Sequence, residues 1–364
     1  MTATARNPLT EEELEIRTVI NETVDSVRLD ILCAFKQLPS TTTSTNLATH
    51  ADVSRQAVSQ HLGTLHDRGF VNRDNKGAEL TAGGLLFVEA INDCLQNASV
   101  EGLSYLTRSV HPLVLLEELS KQAYRLSELQ TAASNLPSQS TIRRILSGFV
   151  DHGWITDDSG TYRITPTGNN ALSAYRELVA VVEQLIKKAP WLQRLPIEAA
   201  TFPLSTLTSA ELVVSNPRSP ASVLSTCLKL YDRNISQFRC LCSVYNPVLF
   251  QAYRGLFELG VDSEAILDWP TAMKAADNSA TRYSVQNERY SNYQSFVLEE
   301  SHTLGIGIYD DRRVAIGAYN ESGTGNHIAM IVSSNDRLVE WGIDLYESYR
   351  ADATPATEVD LSRL

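Results

Sequence analysis

Residues 54–81 read SRQAVSQHLGTLHDRGFVNRDNKGAELT, and this stretch decides the fold of the N-terminal region. Ser54 is a good N-cap for a helix over residues 55–68, because its hydroxyl can accept a hydrogen bond from a free backbone N–H of the first turn. Gly69 follows in the position where helices commonly end in a left-handed residue. The stretch therefore predicts a polar helix with defined ends.

A short hairpin follows this helix. Residues 70–71 begin a strand, residues 74–77 (DNKG) form the turn, and residues 78–80 return antiparallel. Thr81 then caps a final helix that continues through Leu95. The order of polar helix, two-stranded wing and closing helix is typical of a winged helix-turn-helix domain.

The chain before residue 54 supplies the two remaining helices of such a domain. Apolar residues recur at a period near 3.6 across residues 16–38, which predicts one helix that Pro39 stops. A short helix at 46–50 and a tight turn then lead into the polar helix. Together these elements predict a winged helix-turn-helix domain over residues 10–97.

The same order of elements recurs about 85 residues later in the chain. The phrase ILSGFVDHGWI…GTYRITPTG parallels HLGTLHDRGFV…GAELTAGG, each passing from a helix through glycine into a hairpin. An internal repeat of this kind indicates a second unit of the same type. We therefore predict a second winged helix-turn-helix domain over residues 108–188.

The second helix of a helix-turn-helix lies in the major groove, where Arg can pair with guanine and Gln with adenine. In the first domain the DNA-binding candidates are polar residues of that helix and of the wing: Ser54, Arg55, Gln56, Ser59, Gln60, Thr64, Arg73 and Lys76. The corresponding helix of the second domain offers a similar set: Ser138, Gln139, Ser140, Thr141, Arg143 and Arg144. The second hairpin turn, residues 157–160 (DDSG), is acidic and would repel phosphate, so packing or dimerisation is an alternative role for that domain.

The C-terminal half has a different pattern. Residues 195–350 alternate short apolar runs, including one at 283–285, with helical stretches, which indicates an α/β domain with helices covering a sheet. Residues 189–191 are interpreted as a linker, and residues 351–364 are polar and expected to fray. The predicted fold class is α+β, with two tandem winged helix-turn-helix domains followed by an α/β domain.

Two stretches carry a resemblance to a known group of regulators. They are SRQAVSQHLGTLHDRGFV near the N-terminus and GIGIYDDRRVAIGAYN…NHIAMIVSSNDRLVEWGIDLYESYR in the α/β domain. The chain resembles archaeal winged-helix regulators whose C-terminal part is the methanogenesis-regulatory-protein middle domain. The resemblance implies an effector domain that senses a small molecule, as in sugar-responsive archaeal regulators.

Ligand pockets combine apolar walls with a few convergent polar groups. The ligand-binding candidates are the polar residues at strand ends: Tyr309, Asp310, Asp311, Arg313, Tyr319, Asn326 and His327. For residues 310–313 a solvated β-turn is the alternative interpretation. A sugar phosphate or another central metabolite is suggested as the ligand by analogy.

Effector domains of this group also resemble phospholipase-D-type folds, so catalysis has to be considered. That chemistry needs a nucleophilic His, a Lys two positions later and an Asp further along. The second position after His327 holds Ala329, and the second position after His302 holds Leu304. We therefore predict a non-catalytic domain, with a degenerate phospholipase-D-like hydrolase as the rival hypothesis.

Composition bears on the location of the protein and on its possible partners. The net charge is −12 at pH 7, with 7 Lys against 24 Arg, a bias typical of proteins from a salt-rich cytoplasm. We interpret the acidity as adaptation to salt; the absence of any nucleic-acid partner is the alternative. No apolar run of about 18 residues and no secretory signal pattern is found, which favours a cytoplasmic protein without a membrane span. Cys240 and Cys242 share a strand face without a His pair, so we predict core packing, and no metal or cofactor.

These observations predict a transcription regulator that binds double-stranded DNA as a homodimer at a pseudo-palindromic operator. A small-molecule effector bound in the α/β domain would shift the arrangement of the DNA-binding domains. A scaffold whose winged helices bind protein is the second rival hypothesis. An apolar outer face on residues 55–68 would favour the scaffold, and the face is polar.

Overall fold

The computed structural model describes residues 3–24, 26–38, 40–132, 136–231, 234–285, 290–319 and 327–360. The chain divides into two compact units, Met1–Ala189 and Pro190–Leu364. We call them unit one and unit two and describe each separately.

The first half of unit one combines two small hairpins with five helices. Its elements are β1 (Thr4–Arg6), β2 (Glu13–Glu15), α1 (Ile16–Val24), α2 (Val27–Phe35), α3 (Ser44–His50), α4 (Arg55–Asp67), β3 (Val71–Arg73), β4 (Ala78–Leu80) and α5 (Ala82–Leu95). The single helix predicted over residues 16–38 is wrong, because Ser26 has extended backbone dihedrals and starts a new helix. Its hydroxyl accepts from the backbone N–H of Arg28 at 3.2 Å, and N-capping of this kind favours a helix start. Pro39 lies outside the described residues.

The second half of unit one repeats the order of four helices, a hairpin and a closing helix, with one strand, β5, added before its third helix. Its elements are α6 (Val100–Thr107), α7 (Val110–Lys121), β5 (Tyr124–Arg125), α8 (Leu126–Ala132), α9 (Gln139–Asp151), β6 (Ile155–Asp158), β7 (Thr161–Ile164) and α10 (Pro166–Lys187). No helix is predicted from the sequence over residues 98–107, where α6 lies. Strands β6 and β7 pair antiparallel, and β5 joins β7 to make three strands.

The corner between α4 and α5 depends on three small residues, Gly69, Thr81 and Gly84. Gly69 ends α4 with φ of +81°. The Thr81 hydroxyl donates to the Gly69 carbonyl at 2.7 Å and accepts from the Gly84 N–H at 3.0 Å. A Cβ on Gly84 would overlap the carbonyl oxygen of Phe70, so only glycine fits there.

The corner between α9 and α10 has the same construction. Gly153 has φ of +69°, and the Thr165 hydroxyl donates to its carbonyl at 2.7 Å. The same hydroxyl accepts from the Gly168 N–H at 3.1 Å. A Cβ on Gly168 would overlap the carbonyl oxygen of Trp154. The repeat seen in the sequence is therefore also a repeat of atomic contacts.

Both halves of unit one share a core. Helix α10 packs against α5 and α1, and α1 packs against α6. The Arg17 guanidinium donates to the Thr107 carbonyl at 2.5 Å, and the Asn21 amide donates to the Thr107 hydroxyl at 3.1 Å. Because these contacts join the two halves, they form one folded body and not two tethered ones.

Unit two is built on a mixed sheet of eight strands. Its elements, after a short helix that begins at the end of unit one, are α11 (Ala189–Leu192), β8 (Glu211–Val214), α12 (Ser222–Leu230), β9 (Gln237–Cys242), α13 (Pro247–Glu258), β10 (Asp262–Asp268), α14 (Trp269–Asp277), β11 (Tyr293–Leu298), β12 (Leu304–Tyr309), β13 (Arg313–Tyr319), β14 (His327–Ser333), α15 (Asp336–Ala351) and β15 (Thr354–Pro355). The strand order is β15-β11-β10-β9-β12-β13-β14-β8. Strands β9, β10 and β11 are parallel, and all other neighbours are antiparallel.

The two faces of the sheet are covered by different helices. Helix α15 packs on β12 and β13, where Gly342 comes close to Val314. On the opposite face, buried residues of α12 and α13 pack with Cys240, Tyr309 and Met330 of the strands. Because strand side chains alternate between faces, residues 305, 307 and 309 of β12 all point to the α12–α13 side.

Two predictions for the second half of the chain are wrong. The strand predicted at 283–285 is a 3-10 helix, Arg282–Ser284, because the Tyr283 ring turns into the core beside Phe257. The boundary between the two units lies within the predicted linker, residues 189–191, and Trp191 there is fully buried against the rings of Phe202 and Trp341. Thr354–Pro355 extends the sheet in a tail expected to fray, and residues 361–364 lie outside the described residues.

Candidate functional site

Helix α4 has a polar outer face and an apolar inner face. Val58, Leu62 and Leu65 are buried in unit one. The predicted DNA-binding residues of this helix region are exposed, except Thr64, which is partly buried: Ser54, Arg55, Gln56, Ser59, Gln60 and Thr64. The Ser54 hydroxyl accepts from the Ala57 N–H at 3.1 Å, so it caps the helix. The remaining side chains can donate to and accept from base edges.

The wing lies beside this helix. The Asp74 carboxylate accepts from the N–H groups of Lys76 (2.7 Å) and Gly77 (3.0 Å), which fixes the turn between β3 and β4. The Arg73 guanidinium lies 3.7 Å from the position that a Cβ on Gly63 of α4 would take. The exposed Arg73 side chain therefore adds positive charge directly to the polar face of α4, and the exposed Lys76 adds a second charge at the wing tip.

Helix α9 repeats the division into two faces. Ile142, Ile145, Leu146 and Phe149 are buried. The predicted residues are exposed, except Thr141, which is partly buried: Ser138, Gln139, Ser140, Thr141, Arg143 and Arg144. The Ser138 hydroxyl accepts from the Thr141 N–H at 3.4 Å and caps this helix.

The second wing differs from the first in charge. Asp157 and Asp158 are exposed at its tip, and the Asp157 carboxylate accepts from the Gly160 N–H at 2.8 Å. Arg163 of β7 is also exposed, and the sequence interpretation missed it. Polar and apolar residues alternate along 161–164, and this pattern could have indicated that the Arg163 side chain faces outward. The second wing therefore carries both signs of charge.

The predicted ligand-binding residues separate into a group in the turn between β12 and β13 and a group that lines one cavity. Asp310 lies in the turn between these strands, and its carboxylate accepts from the N–H groups of Ser236 and Gln237, both at 2.9 Å. Asp311 forms a 2.5 Å ion pair with Arg239. Both aspartates have positive φ, at 51° and 53°, as turn residues do. The turn interpretation therefore describes the geometry of this group, to which the exposed Arg313 also belongs.

The second group meets around one cavity. Tyr309, Tyr319 and His327 line it together with residues of α12 and α13. The ring centres of Tyr319 and His327 are 4.9 Å apart. Neither nitrogen of His327 has a hydrogen-bond partner among the residues that the structure describes, and burial lowers the pKa of this imidazole to about 4. Asn326, the remaining candidate, lies outside the described residues.

His302 and His327, the two histidines relevant to phospholipase-D-type chemistry, make different contacts. The His302 backbone N–H donates to the Asp268 carboxylate at 3.2 Å, and its ring packs edge-on against Tyr349. Leu304 and Ala329, at the positions where that chemistry needs a Lys, are both fully buried. Neither histidine therefore has the lysine that would share the charge of a phosphoryl group.

The cysteines of unit two belong to its core. Cys240 and Cys242 are buried with their sulfur atoms 3.7 Å apart. Within the described ranges, no group of three His, Cys, Asp or Glu side chains is arranged to hold a metal ion. The same part of the chain has no helix long and apolar enough to cross a membrane.

Three family models match separate parts of the chain. Residues 25–73 match a model described as "Bacterial regulatory protein, arsR family", a helix-turn-helix family. Residues 100–185 match the "HVO_A0261 N-terminal domain", and residues 220–352 match the "Methanogenesis regulatory protein FilR1, middle domain". The matches confirm the predicted resemblance to archaeal helix-turn-helix regulators with a C-terminal domain of the methanogenesis-regulatory type.

Solved structures give weaker similarities. NucT from Helicobacter pylori is 12% identical over 40% of this chain and 98% of its own, with a TM-score of 0.33. TrmBL2, described as an archaeal chromatin protein, is 14% identical over 73% of this chain and 99% of its own, with a TM-score of 0.31. Nuc from Salmonella typhimurium, a phospholipase D family member, is 16% identical over 40% and 97%, with a TM-score of 0.32. TM-scores this low do not establish a shared fold, and no curated protein sequence matches the chain significantly.

Proposed function

We propose that the chain is a transcription regulator that binds double-stranded DNA through α4 and the β3–β4 wing. One observation carries the proposal: an exposed Ser/Gln/Arg face on α4, with Arg73 beside it, lies in a region that matches a helix-turn-helix regulatory family. In the major groove Arg55 can pair with guanine and Gln56 with adenine. Arg73 and Lys76 would contact the phosphate backbone.

We place a second winged helix-turn-helix in the second half of unit one. One line of support is the repeated corner at Gly153, Thr165 and Gly168. The other is the pair of exposed arginine side chains on α9, Arg143 and Arg144. The acidic tip of its wing favours protein contact at that position, and Arg163 favours phosphate contact. The second domain would therefore add to DNA binding through α9 more than through its wing.

The arrangement proposed for the intact regulator is a homodimer on a pseudo-palindromic operator, because helix-turn-helix proteins commonly reach two half-sites in this way. Unit two would sense a small molecule and shift the population of DNA-binding arrangements. The lysines missing after His302 and His327 support a sensing role for unit two and not a hydrolytic one. The net charge of −12 and the scarcity of Lys support a salt-rich cytoplasm as its location.

The test is genome-wide chromatin binding by the tagged protein. Wild type is compared with Arg55→Ala plus Gln56→Ala, and with Arg337→Ala as a control, since Arg337 is an exposed arginine on α15. We expect sharp promoter peaks for wild type and for the control, and loss of those peaks in the double variant. No peaks for normally expressed wild type would overturn the proposal and favour a protein-binding scaffold.

A further inference from the structure

One face of the sheet in unit two lacks side chains where two strands meet. Gly305 and Gly307 lie on β12, and Gly317 lies opposite Gly305 on β13. A Cβ on Gly305 would overlap the Tyr319 hydroxyl, and a Cβ on Gly307 would lie 3.1 Å from the Tyr309 hydroxyl. The missing side chains leave a groove across the two strands, and the two tyrosine rings lie in it. We call this the glycine groove.

The walls around the glycine groove are apolar and aromatic. Helices α12 and α13 contribute Val223, Cys227, Leu249 and Tyr253, Tyr231 follows the end of α12, and β14 contributes Met330. No acid, lysine or arginine is among the described residues that line the cavity. A charged molecule would lose its water there without gaining a charged partner, so binding of an ion is strongly disfavoured. The lining therefore selects an uncharged molecule.

His327 supplies the polar group of the cavity. A neutral imidazole has one nitrogen that donates and one that accepts. Neither has a partner among the described residues, and buried polar groups without partners cost free energy unless water or a ligand satisfies them. His327 is neutral near pH 7 because burial lowers its pKa to about 4. It can therefore exchange a hydrogen bond with an uncharged hydroxyl or amide.

Tyr319 controls how much room remains. The space that water can enter is about 30 Å³. One water needs roughly 10–15 Å³, so only about two waters fit while the Tyr319 ring lies in the groove. The pairing of β13 with β14 shifts register between Ala318 and Tyr319. Such irregularities commonly re-aim a side chain beside a functional site. Tyr319 is therefore the side chain whose rotation would open the groove.

We propose that the glycine groove binds an uncharged molecule with a single aromatic ring and one hydroxyl group, a phenol, and that Tyr319 occupies the groove in the ligand-free protein. The ring that now fills the groove is itself a phenol, so a free phenol has the shape that the Cβ-free strands accept. Its hydroxyl would pair with His327. The proposal rests on the proposed ligand-sensing role of unit two and names the class of ligand.

The test uses 4-fluorophenol as the probe, with binding to the full-length protein followed by fluorine NMR at pH 7. 4-Fluorobenzoate serves as a charged compound of similar size. We expect saturable binding of the phenol and no binding of the benzoate at the same concentrations. Equal binding of both compounds would contradict the selection for an uncharged ligand and overturn the proposal.

Two variants locate the site. His327→Phe keeps a ring but removes both nitrogens, so we expect about five-fold weaker binding of 4-fluorophenol, the usual worth of one neutral hydrogen bond. His302→Phe is the control, because His302 packs on Tyr349 outside the cavity lining, and it should leave the affinity unchanged. Equal loss in both variants would place the probe elsewhere.

Removing Tyr319 tests its role as the occupant. Tyr319→Ala should bind 4-fluorophenol more tightly than wild type, because no ring then has to be displaced; Tyr319→Leu replaces it if the alanine variant does not fold. If millimolar 4-fluorophenol binds to Tyr319→Ala but not to wild type, Tyr319 is a fixed residue of the core that a ligand does not displace, and the proposal is overturned. The DNA affinity of the full-length protein is measured with and without 4-fluorophenol. If the probe binds and the DNA affinity does not change, the sensing role of unit two is contradicted, while the assignment of the glycine groove as a binding site stands.

Discussion

Replacing Gly84 by alanine tests the corner that sets the wing against α5. The added Cβ would overlap the Phe70 carbonyl oxygen and approach the Leu80 Cδ1 atom to 2.7 Å. The Phe70 carbonyl also accepts from the Thr81 N–H at 3.1 Å. Because the first obstacle is backbone and is already hydrogen-bonded, relief requires a shift of α5 away from the strand.

The size of the effect follows from two opposing terms. Alanine in place of glycine favours a helix by at most about 1 kcal/mol. Inserting a carbon into a closely packed site costs typically about 1–3 kcal/mol. The second term is larger, since the clash is with main chain, so we expect Gly84→Ala to lower the free energy of unfolding by about 1–2 kcal/mol. For a unit the size of Met1–Ala189 this lowers Tm by about 2–8 °C.

Thermal unfolding of the full-length chain, followed by circular dichroism, measures this change. Gly168→Ala should have a similar effect, because its Cβ would overlap the Trp154 carbonyl oxygen. Gly255→Ala in α13 is the matched control: nothing lies within 4 Å of its Cβ position, so it should stabilise its helix. If Gly84→Ala and Gly255→Ala shift Tm equally upward, the inferred close approach at the corner is wrong.

Three further predictions concern the candidate sites. Ser54→Ala should lower the free energy of unfolding by about 1 kcal/mol, because the α4 cap is lost. Ser54→Asp should keep the stability and weaken DNA binding, because its carboxylate repels phosphate. Equal DNA binding by wild type and both variants would mean that residue 54 does not contact the DNA. Arg73→Ala combined with Lys76→Ala should reduce the slope of the logarithm of the DNA-binding constant against the logarithm of salt concentration by about 1.8, roughly 0.9 for each lost phosphate contact. An unchanged slope would mean that the wing does not contact the phosphate backbone of the DNA. The pKa of His327 in the folded chain, about 4, lies below its ordinary value of 6.5, so the unfolded chain takes up the proton first. The contribution of His327 to stability is therefore complete above pH 6.5 and is lost as the pH falls toward 4. The loss between pH 7 and pH 5 is about 2 kcal/mol. Denaturant titrations at several pH values should show this fall in the free energy of unfolding for wild type and not for His327→Phe.

The helix ends within residues 54–95 could be predicted residue by residue because their determinants are local. Ser54 caps α4, Gly69 ends it and Thr81 caps α5, and each of these acts on neighbours a few positions away. The break at Ser26 was missed because the apolar period continues across it. The hydroxyl that restarts the helix there is a weaker signal than seven well-spaced apolar side chains.

The candidate ligand site could be predicted only in part. Polar residues near strand ends look alike in sequence, and the sequence does not show which of them line a cavity. Asp310 and Asp311 hold the turn after β12 in place, while Tyr309, at the same end of the strand, lines the cavity with Tyr319 and His327. A better signal was the glycine at every second position of GIGIY, since a period of two places Gly305 and Gly307 on one face.

The order of the family matches has a structural consequence for unit one. A region matching a model described as an N-terminal domain begins at residue 100, and an arsR-type match at 25–73 precedes it. The two halves of unit one that contain these regions share a core, since α10 packs on α5 and α1 and Arg17 donates to the Thr107 carbonyl of α6. A flexible tether would let two reading helices choose their spacing on DNA, whereas a shared core fixes it. If both α4 and α9 read DNA, one chain therefore imposes a single spacing between two contacted sites, before any dimer forms.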